Sequence, residues 1–343
     1  MIAVVKTAPG PGNVEACDMP EPTPSADQVK LAIDACGICG TDLHVYHDTF
    51  RNFPPVILGH EFAGCVVEEG AKVRGTTDRE ARYAVLGAIA VTCGRCRWCR
   101  SGEFMFCPDR RGMGHGVNGA FARFACVRPD QLYRLDDALP AEEGALVEPL
   151  AAAVHAVVEM TEVRAGDVAL VSGPGPIGLL CLLVLARQGI KTIVAGTTAD
   201  AARLALATQL GAARVVDVQQ EDLDEIVRAE TGGAGVDVAF EVAGAAASAR
   251  ACLDVLRPLG QYTQVGHFGR EISVPFDRIG FKQLRVNGSV GYTASTWTRT
   301  MQLLAQGLRP SRIVTHRLPL GQWREGFELF ERKEAVKVLL RPS

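Results

Sequence analysis

The sequence has no long hydrophobic run. Its most apolar stretch, residues 177–186, contains ten residues, whereas a membrane-spanning helix requires about 18 or more. The first residues carry neither a basic segment nor the small-residue cleavage site that marks a protein for export. We therefore expect no membrane association and a cytoplasmic location.

The sequence also lacks an excess of charge of either sign. It contains 36 Lys and Arg against 39 Asp and Glu, a formal net charge of −3. A dedicated nucleic-acid-binding protein needs a basic surface that neutralises phosphates, so no nucleic-acid partner is expected. Apolar residues make up 48% and charged residues 22% of the chain, which is typical of globular proteins and not of disordered ones.

Internal repeats are absent, and the residue pattern changes once along the chain. Up to about residue 150, short β-type runs such as Val29–Ile33 and Phe121–Val127 are separated by Gly, Pro and Asn-Gly, and this half is expected to be all-β. From about residue 165, strands alternate with helices. Parallel strands need long crossover connections, so the second part predicts a doubly wound parallel sheet.

This second part contains six predicted strands and four predicted helices. The strands are 168–172, 192–195, 214–216, 236–242, 260–265 and 284–290, and the helices are 176–188, 199–210, 223–230 and 245–256. A further helix at 296–306 and a strand at 336–340 are expected to return to the first domain.

Four of the 11 cysteines are clustered: Cys93, Cys96, Cys99 and Cys107 have the spacing C-x₂-C-x₂-C-x₇-C. Four thiolates this close in sequence can surround one Zn²⁺ tetrahedrally. Two local disulfides or an iron–sulfur cluster are the alternatives. Because a zinc ion with four cysteine ligands has no open coordination position, we predict a structural site.

A second set of candidate ligands is spread over three segments of the chain. The segments are Cys36-Gly-Ile-Cys39-Gly-Thr41-Asp42-Leu-His44, Gly59-His60-Glu61 and Val147-Glu148-Pro149. Cys39, His60 and Glu148 supply a thiolate, an imidazole and a carboxylate, the mixed set of a catalytic zinc site with a fourth position for water or substrate. The alternative, a redox dithiol of Cys36 and Cys39, is less consistent with their position outside a βαβ unit.

A glycine-rich loop follows the first strand of the second part. It contains Gly173, Gly175, Pro176, Ile177 and Gly178 in the pattern G-x-G-x-x-G and leads into a helix. Glycines at these positions allow a tight turn and the close approach of a pyrophosphate to the helix N-terminus. The order of strand, loop and helix therefore predicts a dinucleotide-binding site.

In this order, the motifs Cys-Gly-Thr-Asp-x-x-His, Gly-His-Glu, the four cysteines, Glu-Pro and the glycine-rich βαβ unit resemble the zinc-dependent medium-chain dehydrogenases. The resemblance covers essentially the whole chain and is closest to the polyol (sorbitol-like) and threonine dehydrogenase branch. It implies that Cys39, His60 and Glu148 bind a catalytic zinc, with Glu61 beside it as an occasional or exchanging ligand.

The resemblance implies roles for three further residues around this zinc. Asp42 matches the carboxylate that orients the ligating imidazole. Thr41 and His44 match the hydroxyl and the imidazole that relay the substrate proton to solvent through the nicotinamide ribose.

The choice between NAD and NADP stays open at this point. NAD enzymes carry an Asp or Glu at the end of the second strand, where this chain has Thr197 and Thr198. Asp200 is close but is typical of a residue at a helix N-terminus, and Arg203, one turn further on, could meet a 2′-phosphate. At the ends of the fifth and sixth strands, Val265, Gly266 and Ser289 are candidate nicotinamide contacts.

We therefore expect an α/β protein with three segments. Residues 1–152 form a catalytic domain, a GroES-like, partly open β-barrel with a structural zinc lobe at about 90–110. Residues 153–291 form a six-stranded, doubly wound Rossmann domain, and residues 292–343 return to the catalytic domain.

The predicted reaction is hydride transfer between a secondary alcohol of a polyol, sugar alcohol or amino-alcohol and NAD(P)⁺, with one catalytic and one structural zinc per chain. A zinc-independent quinone or enone reductase and a non-catalytic zinc- and dinucleotide-binding protein are the alternatives.

An exposed sheet edge near Val286–Val290 predicts a homodimer or homotetramer. The segments 44–55 and 288–299 are expected to shape the substrate pocket. His47 and His115 either line that pocket or lie on the surface.

Overall fold

The computed structural model describes residues 1–342 and divides them into two compact units. The first unit contains Met1–Glu148 and the chain from Thr293 onward, and the second contains Pro149–Tyr292. The first unit is therefore discontinuous in sequence. Among the described residues, no helix has both the length and the apolar character that crossing a bilayer requires.

The secondary structure is mixed throughout the chain. The strands are β1 Ile2–Lys6, β2 Val14–Asp18, β3 Val29–Gly37, β4 Val56–Ile57, β5 Glu61–Glu69, β6 Arg82–Val85, β7 Phe124–Val127, β8 Leu132–Arg134, β9 Val168–Ser172, β10 Lys191–Gly196, β11 Arg214–Asp217, β12 Val236–Glu241, β13 Leu256–Gln264, β14 Arg285–Gly288, β15 Val314–Pro319 and β16 Lys337–Arg341. The helices are α1 Gly40–Tyr46, α2 Arg97–Arg100, α3 Ala141–Ala145, α4 Val147–Val154, α5 Pro176–Arg187, α6 Ala201–Leu210, α7 Leu223–Thr231, α8 Ala246–Val255, α9 Asp277–Lys282, α10 Ala294–Ala305 and α11 Trp323–Glu331.

The first unit is built on a three-stranded sheet, β2-β1-β4, and a seven-stranded sheet, β15-β16-β3-β5-β6-β8 with β7 paired to β3. Most of these strands pair antiparallel, and β3 lies at the centre with β5, β7 and β16 as partners. Its burial alternates over residues 29–34 and is complete from residue 35 to residue 37. The side of β3 near Gly37 is therefore the most enclosed part of the sheet.

The first half of the chain is not all-β, contrary to expectation. Residues Gly40–Tyr46 form α1, with Cys39 in extended conformation as its N-cap. The side chain of Asp42, at the third helical position, accepts a hydrogen bond from the backbone N–H of Cys39 at 2.9 Å, as in a capping box. The local capping interaction starts a helix between two strands, and β-type periodicity in the flanking segments gave no sign of it.

The second unit contains a six-stranded parallel sheet with the order β11-β10-β9-β12-β13-β14. The predicted doubly wound fold is confirmed, with each predicted strand and each connecting helix present. The central strands β9 and β12 are buried along nearly their whole length, as expected for parallel strands covered on both faces. The strand order reverses between β9 and β12, and ligand crevices in such sheets form at the carboxyl ends of the strands there.

Candidate active site and metal centres

A mixed cluster of metal-ligand atoms lies in the first unit. The Cys39 thiol, the His60 imidazole and the Glu61 carboxylate each offer one atom, and these atoms lie within 4.8 Å of one another. Cys39 precedes α1, whereas His60 and Glu61 lie where the chain enters β5. Sulfur, nitrogen and oxygen donors at this spacing are the set that Zn²⁺ binds in catalytic sites.

Asp42 connects the two segments that carry these donors. Its carboxylate is 1% exposed and accepts hydrogen bonds from the backbone N–H of Cys39 at 2.9 Å and of Gly59 at 3.2 Å. Oδ1 of Asp42 lies 3.7 Å from Nδ1 of His60. One carboxylate thus fixes the backbone on both sides of the site and faces the imidazole.

The His60 ring is suited to a metal ion. Its Nδ1 atom is buried and has no hydrogen-bond partner within residues 1–342. Burial alone lowers the pKa of His60, but the negative charges of Asp42 and Cys39 more than offset it and raise the pKa well above its usual value. The site therefore favours positive charge at the imidazole, which a bound cation supplies, and the residues present fit a zinc ion.

Glu61 forms a buried ion pair that the sequence analysis did not anticipate. Nζ of Lys337, the first residue of β16, lies 2.7 and 2.9 Å from the two Glu61 oxygens and donates a further bond to the Ile38 carbonyl at 2.9 Å. Both side chains are 1% exposed. Burial lowers the pKa of Lys337, but Glu61 and Cys39 outweigh burial and raise it. Lys337 is the lone charge in the run 335–340, the one signal that could have identified it.

Gly37 makes room for this pair. A Cβ atom at Gly37 would lie 2.2 Å from Oε2 of Glu61, and Gly37 is the residue that pairs with Glu61 between β3 and β5.

The fourth candidate ligand, Glu148, is not part of the three-residue cluster. Its negative charge contributes to the raised pKa of Lys337, so Glu148 interacts electrostatically with the buried ion pair.

The proposed proton relay is only partly assembled within the first unit. Sγ of Cys39 lies 3.7 Å from Oγ1 of Thr41, so the Thr41 hydroxyl is adjacent to the metal-ligand cluster. His44 is exposed, and its Nδ1 lies 3.0 Å from Oγ1 of Thr49. Thr49 is therefore a neighbour of the relay that the sequence motifs did not reveal.

The four clustered cysteines converge on one point. All four Sγ atoms lie within 4.8 Å of one another, with Cys96 to Cys99 at 3.5 Å and Cys93 to Cys99 at 4.0 Å. A tetrahedral zinc with Zn–S bonds of 2.3 Å requires sulfur atoms about 3.8 Å apart, whereas a disulfide requires about 2.05 Å. The four thiols are free, so the geometry fits a metal site and not a pair of disulfides.

Backbone N–H groups prepare this cluster for a cation. The N–H of Cys96 donates to Sγ of Cys93 at 3.3 Å, and the N–H of Cys99 donates to Sγ of Cys96 at 3.4 Å. Hydrogen bonds from the backbone of Arg95 and Cys96 lower the pKa of Cys93 to about 6. Thiolates are the metal-binding form of cysteine, so these hydrogen bonds favour the zinc-binding state at Cys93. At Cys99 burial outweighs the backbone hydrogen bond and raises the pKa to about 12.

The glycine-rich loop of the second unit has the geometry of a dinucleotide site. Gly173 has φ +116°, a left-handed conformation, and Gly175 is the N-cap of α5, with Pro176 in the first turn. A Cβ atom at Gly178 would lie 2.0 Å from the Gly173 carbonyl oxygen. Gly173 is therefore required by a left-handed turn and Gly178 by a close approach, whereas a Cβ atom at Gly175 would meet nothing within 4 Å. The space beside Gly175, at the N-terminus of α5, is open to an anion.

Glu241 holds this loop in place and was missed from the sequence. Its carboxylate is fully buried and accepts bonds from the N–H groups of Ala243 at 3.1 Å and Gly244 at 3.2 Å, and from Nε2 of Gln264 at 2.7 Å. The N–H of Ala243 lies 2.7 Å from the position of a Cβ atom at Gly173. Glu241 thus joins the loops that follow β9, β12 and β13.

The residues beyond β10 form their own hydrogen bonds. The N–H and hydroxyl groups of Thr197 bond to the Asp200 carboxylate at 3.1 and 2.7 Å, and the Thr198 hydroxyl donates to Asp217 at 2.7 Å. Nη1 of Arg203 lies 3.7 Å from Asp200, and the Arg203 side chain is 8% exposed. Val265, Gly266 and Ser289 follow β13 and β14 at the same carboxyl-end edge of the sheet.

Comparisons with known proteins match both units. Residues 25–137 match the alcohol dehydrogenase GroES-like domain, and residues 176–306 match the zinc-binding dehydrogenase domain. A sorbitol dehydrogenase of Halalkalibacterium halodurans is 37% identical over 349 residues, 100% of this chain and 99% of the relative. A D-arabitol-phosphate dehydrogenase of Enterococcus avium is 35% identical over 351 residues, 100% of this chain and 98% of the relative.

A solved structure has the same fold along its whole length. It is a protein of Sinorhizobium meliloti 1021, described as a zinc-binding dehydrogenase and bound to NADP. It is 31% identical, has a TM-score of 0.89 and covers 99% of each chain.

Proposed function

From the premise that this chain belongs to the zinc-dependent medium-chain alcohol and polyol dehydrogenases, we propose which of its residues carry out the reaction. The family resemblance seen in the sequence is confirmed. The protein is a zinc-dependent oxidoreductase that transfers a hydride between an alcohol and NAD(P)⁺. The observation that carries the residue assignment is the convergence of Cys39, His60 and Glu61 within 4.8 Å.

In this proposal, Cys39, His60 and Glu148 are the resting ligands of the catalytic zinc, and Glu61 is the exchanging ligand. Both Glu61 oxygens bond to Lys337, which supports the view that another carboxylate completes the resting set. Zinc bound there supplies a Lewis acid that stabilises the alkoxide form of the substrate. Asp42 fixes the positions of the imidazole and the thiolate relative to each other, because its carboxylate bonds to the backbone of Cys39 and Gly59.

Thr41 and His44 are proposed to remove the alcohol proton. The Thr41 hydroxyl lies beside Cys39 and is placed to accept a proton from a hydroxyl group at the metal site. His44 is exposed and can release a proton to water. Histidine imidazoles are common proton shuttles and general bases in enzymes.

Gly173, Gly175, Pro176, Ile177 and Gly178 are proposed to bind the cofactor pyrophosphate at the N-terminus of α5. Val265, Gly266 and Ser289, at the carboxyl ends of β13 and β14, are proposed to contact the nicotinamide end. These assignments follow from the rule that open parallel sheets bind ligands at the carboxyl ends of their strands.

We propose that NADP is accepted, with Thr197, Thr198 and Arg203 around the adenosine ribose. No carboxylate occupies residues 195–198, and Asp200 is engaged by Thr197, so the 2′-phosphate meets no free acid there. Thr197→Asp should lower the ratio of kcat/KM for NADP⁺ to that for NAD⁺ by about tenfold or more, since like charges repel. Thr208→Asp, near the C-terminal end of α6, is the matched control. An unchanged ratio would place the ribose elsewhere.

The proposed substrate is a secondary alcohol of a polyol, sugar alcohol or amino-alcohol. The test is a panel of such alcohols with the zinc-loaded protein, in which formation of NAD(P)H is followed by absorbance. Turnover that disappears on chelation and returns with Zn²⁺ is expected. Turnover of a quinone or enone that survives chelation would favour the zinc-independent reductase instead.

We also propose that two copies of the chain associate through β14, giving a homodimer or, with a further interface, a homotetramer. β14 is an edge strand, and Val286 and Val290 are 50% and 42% exposed. A two-fold axis beside such a strand pairs it antiparallel with its own copy. Sedimentation velocity should give at least twice the chain mass, and a monomer would contradict the proposal.

A further inference from the structure

The loop at residues 110–116 runs directly beside the mixed metal-ligand cluster. A Cβ atom at Gly114 would lie 3.1 Å from the Gly59 nitrogen, and one at Gly87 would lie 3.2 Å from the His60 carbonyl oxygen. The N–H of Met113 donates to the Gly87 carbonyl at 3.1 Å. The backbone of the 110–116 loop therefore lies beside the residues that carry the metal-ligand cluster.

This loop packs against the segment at residues 50–53. The N–H of Phe53 donates to the His115 carbonyl at 2.9 Å, and the rings of Phe50 and His115 meet edge to face at 5.1 Å. Burial, together with the positive charges of His60 and Arg110, lowers the pKa of His115 to about 4. His115 is thus an uncharged hydrogen-bonding group next to the site, suited to substrate hydroxyls.

Three arginines stand on these two segments. The guanidinium groups of Arg51 and Arg111 lie 4.8 and 4.4 Å from the centroid of the same ring, Phe53. Nη1 of Arg110 lies 3.5 Å from the Ala88 carbonyl oxygen and 3.5 Å from the position of a Cβ atom at Gly112. We call Arg51, Arg110 and Arg111 the arginine cluster.

Two cations that share one ring repel each other, weakly where both are exposed to water as here, and an anion bound between them would remove that repulsion. Within residues 1–342, neither Arg51 nor Arg111 forms an ion pair. The nearby Asp48 bonds instead to the N–H of Gly10 and to Asn52. Elsewhere in the same unit, Arg317 and Arg341 also converge, and there Glu142 lies between them at 2.7 and 2.6 Å. At Phe53 none of the described residues supplies such a carboxylate.

We propose that the substrate itself supplies this anion: it is a phosphorylated polyol, whose phosphate binds the arginine cluster while its hydroxyls contact His115. This inference rests on the proposed function. A phosphate monoester carries about −1.5 to −2 charges at neutral pH, which matches two or three guanidinium groups. The single charge of a carboxylate, as in an amino-acid substrate, would leave the cluster under-compensated. Arginine is also well shaped for bidentate bonds to phosphate oxygens.

The test compares D-arabitol and sorbitol with their terminal phosphate esters, using the zinc-loaded protein. The wild-type protein should have a kcat/KM at least about tenfold higher for the esters, and inorganic phosphate should inhibit competitively against the ester. In Arg111→Ala, the ratio of kcat/KM for ester to free polyol should fall about 10- to 100-fold, the worth of a charge-assisted hydrogen bond.

Arg123→Ala is the matched control. Arg123 also stacks on a phenylalanine, Phe124 at 5.2 Å, and lies outside the two segments. The second cation on that ring, Lys30 at 5.4 Å, is already ion-paired with Glu21 and Glu68. Arg123→Ala should leave the ratio unchanged. Equal effects of the two variants, an unchanged ratio in Arg111→Ala, or a preference for free polyols or for L-threonine over the esters would overturn the proposal.

Calorimetry separates failure of this inference from failure of the proposed function. Binding of a phosphate ester, weakened in Arg111→Ala, supports the arginine cluster even when no alcohol is oxidised, a result that would refute the proposed function alone. Oxidation of free polyols without tighter binding of the ester would refute the phosphate site and leave the proposed function intact.

Discussion

The two candidate metal centres of the first unit are built in opposite ways. The four-cysteine centre comes from fifteen consecutive residues, and every donor is a sulfur atom. The mixed centre takes Cys39 from the start of α1 and His60 and Glu61 from the start of β5, and the Glu61 side chain is held by Lys337 of β16. The first centre needs only a loop, whereas the second needs the whole seven-stranded sheet.

This difference corresponds to a division of labour. Four thiolates saturate a zinc ion and leave no position for substrate. The mixed centre offers fewer donors, which can leave a position for an alcohol, and it adds groups that tune charge: Asp42, Lys337 and the neutral His115. A centre that must react is therefore coupled to the fold around it, and one that only has to hold a loop is not.

The sharpest test of the comparison is a pair of serine variants three residues apart. Cys39→Ser removes a proposed ligand and should lower kcat/KM by about 10³-fold or more, because Lewis-acid stabilisation of the alkoxide is worth several kcal/mol. Cys36→Ser changes a buried thiol that is not in the ligand cluster and should retain most activity. Equal losses would instead favour a dithiol of Cys36 and Cys39. Circular dichroism checks that both variants fold.

The next largest effect concerns the buried ion pair. Lys337→Met leaves the Glu61 carboxylate buried without its cation, which should cost about 3–5 kcal/mol of unfolding free energy in the metal-free protein. Added zinc should recover part of the loss, because a second cation then faces Glu61. The double variant Lys337→Met/Glu61→Gln should be more stable than Lys337→Met alone, as measured by urea denaturation. If the single variant is as stable as the wild type, Glu61 is not charged in the folded protein.

The four-cysteine centre should respond differently. Cys96→Ser should remove one zinc per chain by elemental analysis and expose the loop at residues 90–110 to proteases, because zinc binding supplies folding energy to such loops. Each kcal/mol lost should lower the Tm by about 2–4 °C. Cys126→Ser, outside both centres, is the control. A loss of activity as large as that of Cys39→Ser would show that the two centres are not separate in function.

The smallest effect is expected from Asp42→Asn. The amide keeps the size of the side chain but removes the negative charge facing His60, and such changes typically cost 10- to 100-fold in metal affinity or activity. Competition with a zinc chelator measures the affinity directly. Asp48→Asn is the control and should leave the zinc affinity unchanged. Asp48 is exposed, and asparagine tolerates its φ of +57°. If the zinc affinity of Asp42→Asn is unaltered, Asp42 contributes only to the capping of α1 and not to metal binding.

Sequence patterns predicted the second unit almost completely. Its strands are runs of buried apolar residues, its helices are bounded by residues such as Pro176 and Gly211, and parallel connectivity follows from alternation alone. The four-cysteine centre could also be predicted from the sequence, because its donors are neighbours in the chain. In these cases the information is local.

Long-range contacts set the limit of that prediction. Helix α1 was not predicted because a single local interaction, the hydrogen bond from the N-cap Cys39 to the Asp42 side chain, starts it between strands. Lys337 and Glu61 are far apart in sequence, and only the pairing of β16 with β3 and of β3 with β5 brings them together. Glu241 and the arginine cluster gave no motif, because ordinary charged residues acquire a role only through their neighbours in space.

The interruption of the first unit by the second has a consequence for biosynthesis. Pro149–Tyr292 is contiguous and can acquire its sheet as soon as it leaves the ribosome, whereas β3 must wait for β16, whose Leu339 pairs with Gly37. Contacts of such long sequence separation form late and slowly, and until then one flank of β3 is open to aberrant strand pairing. We therefore expect chaperones to bind the nascent chain mainly at the first-synthesised part of the first unit. They would protect β3 there until β16 leaves the ribosome.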